Sequence, residues 1–124
     1  MRNRFKIGAL AILLSGMGVA HADSMTGATL RDWIASNDGA LHLAASMYIV
    51  GVSDDDALLQ VAQRRGFMNA DPAPIHVCPA RQKAKGEELR TSVARFIDEK
   101  PEYRKEAAVF AVRGALSRDY PCAN

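Results

Sequence analysis

Leu41-His42-Leu43-Ala44-Ala45-Ser46-Met47-Tyr48-Ile49-Val50-Gly51-Val52 is the stretch that decides the fold. Leu41, Ala44, Ala45, Tyr48, Ile49 and Val52 recur at offsets of 3, 4, 7, 8 and 11. That spacing puts all six on one face of a helix. Nowhere does the chain show the sustained apolar-polar alternation of a half-buried strand.

Working towards the N-terminus, Thr29-Leu30-Arg31-Asp32 has the form of a threonine cap with an acid three residues on,. It predicts a short helix from Leu30 to about Ser36, ended by Asn37-Asp38-Gly39,. Towards the C-terminus, Ser53 reads as the cap of a third helical segment. Asp54, Asp55 and Asp56 would fill its first turn, where the helix macrodipole favours negative charge,. Leu58, Leu59, Val61 and Ala62 make its apolar side. Arg64 and Arg65 occupy its last turn, and Gly66 is placed for the left-handed residue that ends a helix,.

Phe67 to Pro79 reads as irregular. Pro72, Pro74 and Pro79 each remove a backbone donor and restrict the preceding residue,. A long connection in a small domain is a place for a partner to read; the plainer alternative is that it only joins two helices. The helical pattern returns from Ala80, with Gly86 weakening its start and Leu89, Val93, Phe96 and Ile97 on one face. Pro101 is placed as the first residue of a last helix. Tyr103, Ala107, Phe110, Ala111 and Gly114 form its stripe, thickened by Leu116, and Pro121 stops it. The fold class expected is all-α, a compact bundle of four to five helices with one disulfide. Small residues such as Ala44, Gly51, Ala107 and Gly114 would let helix axes approach, with Tyr48 and Phe110 supplying bulk.

The chain has 124 residues. Its first 22 form a separate unit: Arg2, Arg4 and Lys6, then an apolar run from Ile7 to Val19, then Ala20-His21-Ala22. That order is a secretory signal peptide. The run of about 13 residues is short of the ~20 of a spanning helix, which disfavours a retained anchor. The expected domains are therefore a signal peptide at 1–22 and one helical domain at 23–124, exported and without a membrane span. The whole chain carries a formal charge of +2. Residues 23–124 hold 13 basic and 14 acidic residues, net −1. Nothing in that balance calls for nucleic acid or anionic lipid as a partner.

Cys78 and Cys122 are the only cysteines, both in the exported part. In an oxidising compartment an even count reads as a disulfide, the alternative being two buried thiols. Closing that loop contributes roughly 4 kcal/mol by the chain-entropy estimate.

Catalytic patterns are absent. His42 sits beside Leu41 on a helix, where a boundary position is the ordinary outcome. His76 lies near Cys78, but an oxidised Cys78 offers no nucleophile,. Three consecutive aspartates point about 100° apart around a helix and do not converge on one ion, so no metal and no cofactor is expected. Trp33 reads as either core or an interface anchor.

One series of motifs carries a resemblance. It runs Tyr48-Ile49-Val50-Gly51-Val52-Ser53-Asp54, Cys78-Pro79 after a loop, Phe96-Ile97 at the end of an amphipathic helix, and Lys100-Pro101-Glu102. Ala107 and Ala115-Leu116 follow on a helix, with Tyr120-Pro121-Cys122 last. In order and spacing this resembles the Rap/Tai-type immunity proteins of type VI secretion, over about Leu30 to Cys122. The resemblance implies a small all-helical periplasmic protein that binds and blocks a secreted peptidoglycan amidase, commonly as a dimer. It implies structural roles for Tyr48, Gly51, Asp54, Pro79, Pro101, Ala107, Leu116 and Pro121. Many relatives carry a second cysteine pair, which here aligns near Ile34 and Ala45. Their joint replacement by apolar residues leaves Cys78 paired with Cys122. A second function class, a small periplasmic holdase or acid-stress chaperone, fits the size and the bridge but lacks a disordered arm. For a partner, Phe67, Met68 and His76 in the irregular loop are the first residues to consider.

Overall fold

The structure is a computed structural model that describes residues 25–69 and 76–123. Four helices hold the fold: α1 (Gly27–Ala35), α2 (Gly39–Arg64), α3 (Gly86–Glu99) and α4 (Ala108–Asp119). Two short 3₁₀ turns, Ala80–Gln82 and Pro101–Arg104, precede α3 and α4. Among the described residues there is no named strand, only two isolated bridges, Thr26 with Ala107 and Val77 with Pro121. The all-α bundle expected from periodicity is what is observed. The expected signal peptide lies outside the described residues. No described helix is long and apolar enough to cross a membrane.

The apolar face chosen by periodicity is the core. Ala45 and Ile49 on α2 are buried, with Tyr48 and Val52 packed at its edge. Leu89, Val93, Phe96 and Ile97 on α3 meet Ala108, Ala111, Val112, Ala115 and Leu116 on α4. Leu30 of α1 closes the cluster, and Trp33 packs against it partly buried. Ile34 and Ala45 both join this packing. Phe96 and Tyr103 meet edge to face at 5.0 Å. Gly114 lets α4 approach α3 closely, since a Cβ there would strike the Phe96 ring.

Four local expectations need correction. First, α1 begins at Gly27 and its cap is Thr26, whose Oγ1 accepts from the Thr29 N–H at 3.2 Å. The chain enters earlier because it pairs with a distant segment: Gly27 N donates to Glu106 O at 2.9 Å, and Ala108 N to Met25 O at 2.7 Å. Gly27 is required there, since a Cβ would strike the Tyr103 carbonyl.

Second, Ser53 caps nothing. α2 runs unbroken through it for 26 residues, from an Asp38 cap that accepts from Ala40 N at 2.8 Å. The buried face simply continues in phase from Ile49 and Val52 to Asp56. Gly66 does end the segment in the left-handed conformation, φ +74.

Third, Pro101 starts a 3₁₀ turn and not α4. Ala107 is extended (φ −58, ψ 134) to pair with Thr26, which separates turn from helix. Likewise Ala80 starts a 3₁₀ turn ended by a left-handed Lys83, and Gly86 is the first residue of α3. Fourth, Phe110 points outward and is exposed, and Gly51 packs against nothing within the described chain.

Salt bridges finish the exterior. Arg31 of α1 grips Asp98 of α3 through two nitrogens, with Asp98 also taken by Arg104 at 3.0 Å. Asp119 accepts from Ser92, Arg95 and Arg118.

Candidate functional site

After Gly66, at positive φ, the chain leaves α2. Phe67 N returns to Ala62 O at 2.9 Å, which turns the Phe67 side chain outward, 77 % exposed, with Met68 exposed beside it. The middle of the irregular segment, 70–75 with Pro72 and Pro74, lies outside the described residues. The far end of the loop is fastened twice.

The first fastener is covalent. Cys78 and Cys122 form a disulfide, S–S 2.03 Å, closing a span of 44 residues. Backbone bonds flank it: Cys78 N donates to Tyr120 O at 2.9 Å, beside the Val77–Pro121 bridge. Pro79 is buried next to it, and Pro121 stays exposed.

The second fastener is polar and centres on Asp56, a carboxylate with no solvent exposure. Oδ1 accepts from His76 Nδ1 at 3.0 Å and from Arg113 Nη2 of α4 at 2.7 Å. Oδ2 accepts from Gln60 Nε2 at 2.8 Å and from the Val77 backbone N–H at 2.9 Å. A carboxylate only accepts, so the proton on this side of the ring sits on Nδ1. The other ring nitrogen meets the Gln63 side-chain amide at 3.0 Å. Burial is the largest influence on Asp56 and pushes its carboxyl upward. The Val77 N–H, His76 and Gln60 together outweigh it and hold the group below the usual carboxylate range,.

This arrangement relocates one expected role and reveals one that was missed. His76 is engaged at both ring nitrogens, so it fastens the loop. Asp56 is not a helix-terminal charge; it is the hub of a clamp joining α2, the loop and α4. Its position seven residues after Ile49 carried the signal, hidden by Asp54 and Asp55 beside it, which are exposed. Gln60, Gln63 and Arg113 had no signature of their own. Arg113 also lines a groove on the outer face of α4 with Phe110 and Gly114, so the clamp connects the loop to that face. His42 is a boundary residue, its Nε2 2.7 Å from Ile34 O.

Chemically the clamp is a holder. Asp56 accepts four hydrogen bonds, two at each carboxylate oxygen. No group of three or more metal-binding side chains is gathered among the described residues.

Fold and site together define a small helical scaffold with Phe67 and Met68 exposed just past the end of α2 and a doubly fastened segment at 76–78. The family model of Rap1a immunity proteins matches residues 26–122, and the chain belongs to that family. It is thus an immunity protein, of a kind directed against a secreted effector. No curated protein and no solved structure matches the chain.

Proposed function

We propose that the protein neutralises a peptidoglycan amidase delivered by type VI secretion, by binding it and occluding its cleft in the periplasm. In this reading residues 1–22 direct export and are removed, the domain has no activity of its own, and it works as a homodimer. The observation that carries the reading is the loop: an exposed Phe67 and Met68 beside a helix end, with the returning strand of chain fixed by Asp56 and the disulfide. A segment anchored at one end loses less ordering entropy on entering a cleft than one free at both. Aromatic and methionine side chains are suited to the buried centre of an interface.

The test is titration of the purified protein with the amidase encoded beside it, together with deletion of the gene in cells exposed to that amidase. Tight binding and sensitised cells are expected. Replacing Phe67 and Met68 by aspartate should weaken binding by about 100-fold, as loss of a central anchor does, with the helical circular dichroism unchanged. Absence of both binding and sensitisation would overturn the reading.

A further inference from the structure

α4 turns a second face away from the bundle. Phe110, Arg113 and Gly114 stand at offsets of 3 and 4, on one side of the helix,. With Glu102, Tyr103 and Glu106 they line a groove of about 560 Å³. Phe110 is 56 % exposed in it. Tyr103 is fixed as the opposite wall by its edge-to-face contact with Phe96.

The charges in this groove do not cancel. Arg113 is committed to Asp56, Nη2 to Oδ1 at 2.7 Å. Glu102 and Glu106 are exposed and make no ion pair or side-chain hydrogen bond among the described residues. Of the cations near them in sequence, Arg104 is taken by Asp98 at 3.0 Å, and Lys105 does not line the groove. What stays open is an aromatic ring that shares a groove with two carboxylates.

A ring face attracts a cation through its quadrupole, and a carboxylate attracts the same cation by its charge. The neighbouring ring already works this way: Lys100 Nζ and Arg118 Cζ stand 5.5 and 5.4 Å from the Phe96 centroid. No cation stands over Phe110 among the described residues. An uncharged apolar segment laid in the groove would strip water from two carboxylates without replacing it. An acidic segment would be repelled.

We propose that this groove receives a lysine or arginine side chain of the amidase, its cation over Phe110 and against Glu102 and Glu106. The inference rests on the function proposed above and adds a second contact to the loop. The stem peptides of peptidoglycan carry free carboxylates, so an enzyme that cuts it gathers cations at its cleft. Glu102 and Glu106 stand in for the carboxylates of that substrate. Arg113 makes the groove continuous with the loop, because the Asp56 it contacts also holds His76 and the Val77 N–H.

Calorimetric titration of the purified protein with the amidase encoded beside it tests the contact. Glu102→Gln and Glu106→Gln together should raise the Kd about 10- to 100-fold and flatten its dependence on salt, because the lost attraction is between charges. Phe110→Leu keeps the apolar bulk and should raise the Kd about 3- to 5-fold. None of the three side chains is buried, so the helical circular dichroism should not change. A wild-type Kd in either variant overturns the proposal and leaves the proposed function standing. If no form of the protein binds the amidase, that function fails instead. The groove is then decided by nuclear magnetic resonance with the peptide acetyl-Ala-Arg-Ala-amide. Shifts confined to residues 102–117, and lost in the double glutamine variant, sustain the site; shifts elsewhere, or none, overturn it.

Discussion

Asp56 concentrates the energetics of the loop in one side chain. Removing a partner from a buried charge network costs about 3 kcal/mol or more, because the remaining groups are stranded. Asp56→Ala should lower the melting temperature by roughly 12–20 °C in a domain of this size, measurable by thermal denaturation. His76→Ala removes one donor of four and should cost about 1–2 kcal/mol. The pH dependence has a definite sign. Asp56 is held below its ordinary value in the folded protein. Its contribution is therefore complete above the unfolded carboxylate value of about 3.9, and is lost as pH falls through the lower folded value. Asp98, held down by Arg31, and Asp119, held down by Arg118, act in the same direction from more exposed positions. Asp56→Asn should leave a shallower acid limb in a plot of stability against pH, not a flat one. At Gly114 the effect is steric: alanine there meets the Phe96 ring, and overpacking of this kind costs about 1–3 kcal/mol,.

Among the elements, α2 is the one that sequence reading divided and the fold keeps whole. Ser53 followed by three aspartates has the local chemistry of a helix start. The buried face nevertheless passes through it in phase, and Asp56 takes a core position because Gln60, His76, Val77 and Arg113 satisfy it. Asp54→Pro distinguishes the two descriptions. At the first position of a new helix proline would be harmless; in the interior of α2 it should cost about 3 kcal/mol, read by urea denaturation. The parts legible in sequence were those written in local periodicity: the core faces of α2 and α3, the glycine stop at Gly66, the disulfide. The starts of α1 and α4 were not legible, because both are set by hydrogen bonds between residues 25–27 and 106–108. The loop was recognisable as irregular from its prolines. Its clamp was not, because the donors come from positions 60, 76, 77 and 113, which share no sequence pattern.

At the scale of the molecule, the disulfide and the polar clamp hold the same stretch of chain by independent means. Reduction removes roughly 4 kcal/mol of constraint on the unfolded chain, while Asp56 still holds Val77. The reduced protein should therefore keep its helical signal at neutral pH and lose resistance to denaturant. Circular dichroism with and without reductant checks this.

The pairing of Met25, Thr26 and Gly27 with residues 106–108 has a consequence for how the chain comes to be folded at all. The start of α1 cannot be fixed until the segment that pairs with it has been made, some 80 residues later. Contacts so far apart in sequence are slow to form and reward the chain only at the end. A polypeptide emerging from its N-terminus thus lacks these contacts until almost the last helix is out. Release of a nascent chain ending at Lys105 should give a protease-sensitive product, and release at Asn124 a resistant one.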